Sequence, residues 1–267
     1  MAQTQAAQGK QKEEPVRRRF GFKEEMGPDG RFKFHCHPGL ECFGDCCRDV
    51  NIYLTPYDVI RLKQALNLTS DEFLARYTLR HRAGRGLPVV QIRMRDNEKK
   101  TCPFLTDKGC RMYAARPWSC RMAPVDQTED GVYRVNFDPA RCLGLLESRE
   151  WTVAEWMEDQ GLPAYDPVEA GFRELPGRLQ FTGFSLLDEH LVRLFYTVCY
   201  NVDRFRRLVF HSCFLEVFPA PPETVERIKT DDVALLRFGL EWLAAGPDLQ
   251  TTIALRDEAF GDEGLPM

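Results

Sequence analysis

Cysteine is the residue whose placement in this chain carries chemistry. Seven of the ten cysteines lie between residues 36 and 120, in two tight groups. The first runs Cys36-His-Pro-Gly-Leu-Glu-Cys42-Phe-Gly-Asp-Cys46-Cys47. The second runs Cys102-Pro-Phe-Leu-Thr-Asp-Lys-Gly-Cys110-Arg-Met-Tyr-Ala-Ala-Arg-Pro-Trp-Ser-Cys120. Thiolates are soft ligands, and zinc and iron–sulfur centres take four of them in roughly tetrahedral arrangement. Short turn-rich loops suit that task, because a tight turn lets two side chains converge on one centre. Gly44 supplies such a turn between Cys42 and Cys46.

Spacing points to a thiolate metal site without naming the metal. Eight residues separate Cys102 from Cys110 in position and ten separate Cys110 from Cys120. Both steps are too wide for a zinc-ribbon knuckle and fit neither standard ferredoxin pattern. Neighbouring side chains of an extended chain point apart. Cys47, next to Cys46, is therefore open to three readings: ligand of a different centre, bridge between two ions, or structural thiol. Arg48, Arg111, Arg116 and Arg121 sit beside cysteines. Their guanidinium groups would offset the net negative charge of a four-thiolate centre and lower thiol pKa values.

The ordered series resembles the YkgJ-like cysteine-cluster family, a zinc- or iron-chelating domain with a CxxCxxCC signature. The matching stretches are Cys42-Phe-Gly-Asp-Cys46-Cys47, Leu54-Thr-Pro-Tyr-Asp58-Val-Ile-Arg61-Leu62, Cys102-Pro-Phe-Leu105 and Cys110-Arg-Met-Tyr113-Ala-Ala-Arg116-Pro117-Trp-Ser-Cys120-Arg121. Phe137-Asp-Pro-Ala-Arg-Cys142-Leu-Gly144 resembles a segment that carries a further cysteine in longer members. The resemblance spans about residues 36–160. It implies a ligand pool of Cys36, Cys42, Cys46, Cys47, Cys102, Cys110, Cys120 and Cys142, holding zinc or iron, an iron–sulfur cluster included. The series departs from the family pattern at its start. Five residues lie between Cys36 and Cys42 where the pattern has two, and three lie between Cys42 and Cys46. Cys36 is thus the member the pattern supports least, and His35 or His37 is its substitute candidate.

Three functions follow as expectations. The first is a binding module that holds zinc or an iron–sulfur cluster for structure, storage or delivery. The second is an iron–sulfur enzyme of protein modification, since distant relatives of the family include flagellin lysine N-methylases. The third is a thiol redox sensor in which Cys46 and Cys47, or another pair, oxidise reversibly. The implied partners are a protein substrate or a metal-recipient protein. No glycine-rich loop after a strand marks a methyl-donor site, and no serine–histidine–acid order or phosphate loop stands out.

The elements that must position the cysteines can be read in outline. Phe32 and Phe34 alternate with polar residues, as a short strand leading into the first group. Val50, Ile52 and Leu54 alternate as a second extended piece. Thr55-Pro-Tyr-Asp58 predicts a capped helix over 56–67, and Thr69-Ser-Asp-Glu72 opens a second one. Residues 80–87 read as a loop, 89–94 as a strand continuing into a hairpin or meander with 101–105, 112–115 as a helical turn stopped by Pro117 and 132–137 as a strand. Thr152-Val-Ala-Glu155 is a further capping box. Long helices are predicted over 186–209 and 222–244. Cys199 and Cys213 fall in this apolar half as small hydrophobes, Trp151, Trp156 and Trp242 read as core aromatics, and His190 and His211 as surface or capping residues.

The expected architecture is α+β: a small cysteine-rich module of short strands and helices followed by a mainly helical half. By residues, 1–20 read as a disordered tail, 21–160 as the metal-binding module, 161–255 as a helical region packed on it and 256–267 as a frayed tail. The chain has 267 residues and a net charge of -4, with a pI near 5.8, which argues against a nucleic-acid partner. Residues 1–15 lack the apolar stretch of a secretory signal, and no segment approaches the ~18 apolar residues of a spanning helix. A cytoplasmic location with no membrane partner is the expectation, and reduced thiols there favour metal or redox chemistry over disulfides.

Overall fold

The computed structural model describes residues 25–83, 86–128, 130–178, 186–246 and 251. The expected tails at 1–20 and 256–267, and the onset of order near Phe20, lie outside them. The fold is α+β, with short antiparallel strands concentrated in the first 152 residues and helices dominating the rest. Among the described residues no helix is long and apolar enough to cross a membrane.

Strand β1 (Arg31–Lys33) pairs antiparallel with β9 (Glu150–Thr152), bringing Phe32 opposite Trp151. Helix α4 (Val153–Asp159) follows β9 at once, capped by the expected box of Thr152 and Glu155. Phe32, Phe34, Trp151 and Trp156 form a small aromatic core with Met122, Val125, Tyr133, Val153 and Leu162. Phe34 meets Trp156 edge-on, with centroids 5.3 Å apart. The indole N–H groups are satisfied inside this core: Trp151 donates to the Phe34 carbonyl at 2.9 Å and Trp156 to the Met122 carbonyl at 3.0 Å. Each buried aromatic is worth on the order of 2–3 kcal/mol. Together they hold the exit of β1, and with it Cys36, against the chain around residue 122.

The second sheet has the order β2 (Tyr53–Leu54), β4 (Pro88–Ile92), β3 (Thr78–Arg82), all antiparallel. Residues 80–82, expected in a loop, thus belong to a strand. Arg80 and His81 face outward, while their backbone pairs with Val90 and Val89. An edge strand with one solvent face needs little apolar patterning. The expected hairpin or meander of 89–94 with 101–105 is instead a loop closed where the Arg95 N–H donates to the Thr101 carbonyl at 2.8 Å. Two small ribbons complete the strands, β5 (Leu105–Thr106) with β6 (Gly109–Cys110) and β7 (Val125–Gln127) with β8 (Tyr133–Val135).

Helices α1 (Pro56–Leu66) and α2 (Ser70–Tyr77) form as expected, each with a complete capping box. A short helix α3 (Trp118–Met122) begins immediately after Pro117, where the sequence reading had placed only a stop. Proline ends one turn and begins the next, because its fixed φ suits a helix N-terminus. α5 (Asp166–Arg178), α6 (Leu186–Tyr200), α7 (Val202–Phe210), α8 (Phe214–Val217), α9 (Pro222–Ile228) and α10 (Asp232–Ala244) make the helical half. Both long predicted helices are broken by a side-chain cap. Asn201 caps Arg204 N–H at 3.1 Å between α6 and α7, and Asp231 caps the N–H groups of Val233 and Ala234 at 2.9 Å ahead of α10. Such residues compete for backbone donors and end helices that apolar periodicity alone would continue.

The larger core joins the two halves: Val59, Leu62, Phe73 and Ile92 pack with Phe195, Phe205, Phe214, Leu236 and Trp242. A polar clamp crosses it. Lys63 on α1 lies 2.9 Å from both Asp203 and Asp232, and Arg206 reaches Asp232 at 2.6 Å. Two helices, α7 and α10, are therefore tied to α1, the helix whose N-terminus faces the cysteines.

Candidate metal centre

Eight cysteines arrive from seven places in the fold. Cys36 lies in the extended chain after β1, and Cys42 on the turn that follows. Cys46 and Cys47 occupy a 3-10 turn, Asp45–Cys47, entered through Gly44 at φ 83. A side chain at residue 44 would strain that left-handed backbone and meet Leu105 at 3.2 Å, so glycine is required there. The turn changes the relation of Cys46 to Cys47 from the extended-chain expectation. Successive residues of a 3-10 helix lie about 120° apart rather than opposite, and here the two thiols hydrogen-bond to each other.

The second group is laid against this turn by the backbone. The Cys102 N–H donates to the Cys47 carbonyl at 2.8 Å, and the ribbon β5–β6 places Cys110 opposite Leu105. Cys120 rides on α3. Cys142 precedes a 3-10 turn, Leu143–Leu146. The Leu143 N–H points at the Cys42 sulfur at 3.3 Å, which sets Cys142 and Cys42 side by side across a hundred residues of chain.

The thiols influence one another electrostatically in two overlapping sets. Burial, then Cys46 and Cys42, push Cys36 up; burial, then Cys42, Cys46 and Cys36, push Cys142 up to about 11. Burial, Cys102, Asp58, Cys110 and Cys46 push Cys120 up to about 12, while burial raises Cys102 and Cys110. Cys47 is raised by its hydrogen bond to Cys46 and by burial, with Cys102 and Cys120 adding to it. Cys46 is the exception. The hydrogen bond from Cys47 lowers it to about 7, although burial opposes this. It is also the thiol felt in both sets.

One cavity of about 1450 Å³ opens on this region, and Cys36, Cys42, Cys46, Cys120 and Cys142 line it. Arg116 lines it too and lowers the pKa of Cys36, Cys46 and Cys110 by its charge. Its guanidinium is held by Gln160 at 2.6 Å and stacks over Tyr113 at 3.8 Å. The other three arginines divide. Arg48 is paired with Asp45. Arg111 stacks 5.5 Å from the Phe104 centroid and eases only Cys110. Arg121, expected among the counter-charges, points into the protein and donates to the carbonyls of Ala114, Arg116 and Gln160 at 2.5–2.9 Å. It braces the loop instead of neutralising the thiols.

Asp58 has a larger part than helix-start chemistry alone. Fully buried, it closes the Thr55 capping box and also accepts the Trp118 N–H at 2.8 Å and the Tyr165 hydroxyl at 2.9 Å. No spacing in the sequence connects residues 58, 118 and 165.

Cys199 is wholly buried in the larger core, and Cys213 packs partly buried against it. Both stand as the small hydrophobes expected. His211 ends α7, whereas His190 is buried on α6, because it lies on the apolar face of that helix beside Leu191 and Leu194. His35, a substitute candidate for Cys36, lines the thiol cavity beside it, and both histidines have a further neighbour. Their donor atoms gather with a carboxylate oxygen of Glu147, all within 4.8 Å of one another. Glu147 was unforeseen, lying 110 residues from His37 with no motif around it.

The donor chemistry suits a soft metal, since all eight sulfurs are free thiols, but among the described residues no three of them lie within 4.8 Å of one another, so a metal would have to draw them together. Burial and neighbouring thiols raise the pKa values of six of them, Cys36, Cys47, Cys102, Cys110, Cys120 and Cys142, which makes their ionisation costly without a cation; a bound metal would relieve that cost by taking the protons' place. Comparison with known families agrees. Residues 35–137 match the CxxCxxCC family model, described as "Putative zinc- or iron-chelating domain". That segment contains seven of the eight cysteines and ends before Cys142. No curated protein and no solved structure was found to match the chain.

Proposed function

We propose, for a chain whose residues 35–137 are a CxxCxxCC domain, that it holds more than one zinc or iron ion through Cys36, Cys42, Cys46, Cys47, Cys102, Cys110, Cys120 and Cys142. The observation that carries this reading is the position of Cys46. It couples electrostatically to Cys36 and Cys142 on one side and to Cys110 and Cys120 on the other. One tetrahedral ion takes four thiolates. A sulfur shared by two sets of thiols is how a bridged, polynuclear centre is built, whether of zinc or as an iron–sulfur cluster. Cys46 would bridge; Cys36, Cys42 and Cys142 would close one side; Cys47, Cys102, Cys110 and Cys120 would close the other. Arg116 would offset part of the negative charge at the cavity.

The cavity supports a role beyond scaffolding, since a closed structural zinc site leaves no open position. Metal held against an opening of this size is suited to transfer to a recipient protein or to chemistry on a protein substrate in the cytoplasm. A methylase-like activity rests on family likeness alone. A redox role has one observation in its favour: Cys46, lowered to about 7 beside Cys47, is the thiol most readily oxidised once metal is lost.

Anaerobic purification followed by metal and sulfide analysis tests the reading. More than one bound ion per chain is expected, colourless with zinc or brown with iron and sulfide. A single ion per chain, retained when Cys142 is replaced by alanine, defeats the polynuclear arrangement.

A further inference from the structure

We propose a second metal site of different chemistry on the rim of the thiol cavity, formed by His35, His37 and Glu147 and selective for a borderline divalent ion such as zinc. The backbone builds it. β1 leads into extended chain, where residues two apart share a face. His35 and His37 therefore point to one side and Cys36 to the other. The facing strand is pinned at two places: Phe34 N–H donates to the Arg149 carbonyl and His35 N–H to the Gly144 carbonyl, both at 2.9 Å. Between these pins, Glu147 is carried up to the imidazoles. The approach is close enough to require glycine at 144, where a side chain would meet the Phe34 ring at 3.0 Å and the His35 carbonyl oxygen at 3.1 Å.

The imidazole rings stand 5.1 Å apart, and His37 Nε2 lies 3.9 Å from Glu147 Oε1. Donors around a tetrahedral zinc sit about 3.3 Å apart, so small side-chain movements complete the site. Two histidines and one carboxylate leave further positions for water, the donor pattern of open zinc and iron(II) centres. The tautomer must change. Without metal, His37 Nδ1 accepts the Gly39 N–H at 3.2 Å, so its proton sits on Nε2. On binding, Nε2 takes the ion, the proton moves to Nδ1, and the exposed Gly39 N–H turns to water, with no net proton released. The trio holds nitrogen and oxygen donors and no sulfur, so its filling can be read apart from that of the thiol centre.

Cobalt(II) titration of the tag-free chain under reductant separates the two. Thiolate-bound cobalt shows intense sulfur-to-metal charge-transfer absorption, whereas a histidine–carboxylate site adds bound cobalt without it. We expect wild-type protein to bind an additional equivalent beyond that reported by charge transfer. His35→Ala with His37→Ala should abolish it, and Glu147→Gln, which preserves side-chain volume, should weaken it at least tenfold, with the charge-transfer band unchanged. Equal cobalt uptake in wild type and the variants overturns the proposal. So does loss of charge transfer in the variants, which would assign the histidines to the thiol centre. Absent charge transfer with the additional equivalent still dependent on the trio would defeat the thiol reading and leave this one standing.

Discussion

The buried carboxylate of Asp58 accepts the backbone N–H of Trp118 at 2.8 Å, across sixty residues of chain. Trp118 opens the short helix bearing Cys120, so one carboxylate sets both the start of α1 and the position of a candidate ligand. Its second bond, to Tyr165 at 2.9 Å, ties in the entrance of α5. Asp58→Ala should leave the Thr55 and Trp118 N–H groups unpaired and the Tyr165 hydroxyl with only the Arg116 carbonyl at 3.2 Å, at a cost of about 2–4 kcal/mol, read as a lower denaturant midpoint. Because α3 loses its anchor, metal content should fall with stability. A variant that is destabilised yet fully metallated would show that Cys120 is positioned by other contacts.

The thiols should separate by role when each is replaced by alanine. Cys46→Ala removes the sulfur common to both sets and should lose the most metal. Cys120→Ala should lose metal from the set of Cys47, Cys102 and Cys110 while leaving Cys142 protected from alkylation. Cys199, wholly buried and not among the residues lining the cavity, should cost about 1–2 kcal/mol on truncation with metal content unchanged. Elemental analysis and mass-spectrometric thiol mapping on the same samples read all three; equal metal loss in the three variants would contradict the core placement of Cys199.

What the sequence disclosed and what it hid follow from the range of the forces involved. Thr55, Thr69 and Thr152 each declare a helix start within four residues, and all three capping boxes are present. Apolar periodicity foretold the helical half but ran through Asn201 and Asp231, because a side-chain cap has no period. The cysteines were visible as a pool, but nothing in the sequence set Cys142 beside Cys42, where the fold places it. Glu147, Gln160 and Tyr165 were not visible, since each meets its partner through chain folding rather than through neighbouring residues.

Arg116 and Arg121 look alike in sequence, five residues apart, and predict opposite phenotypes. Arg121 satisfies three carbonyls and is almost wholly buried. Arg121→Met should cost about 3 kcal/mol, since each lost hydrogen bond to a charged donor is worth roughly 1.5 kcal/mol or more and some carbonyls reach water. Arg116 faces the thiols. Arg116→Met should change stability little, raise the pKa of Cys46 and slow its alkylation at pH 7. Thiol-reactivity profiles against pH, alongside denaturation curves, distinguish the two; a reactivity change in the Arg121 variant of matched stability would reassign the counter-charge.

Glu169 supplies a pH dependence of unusual sign. It is buried on α5, accepts the Tyr57 N–H at 3.2 Å, and burial pushes its carboxyl up to about 7 from an ordinary 4.5, with the nearby Asp58 adding to the rise. The folded state therefore holds a proton that the unfolded chain has released above about pH 4.5. Linkage makes stability fall as pH rises through this window. The contribution is complete below about pH 4.5 and lost as pH passes 7, opposite to the usual paired carboxylate. Its size is about 3–4 kcal/mol, at ~1.4 kcal/mol for each pH step between the two values. Glu169→Gln keeps the shape and the acceptor oxygen but cannot ionise. Denaturation of chelated, reduced wild type and variant at intervals from pH 5 to 8 should show the variant gaining steadily on wild type, since the other titrating groups cancel in the difference. A constant difference across that range would mean that Glu169 is ionised in the fold at pH 5 and that burial does not govern it.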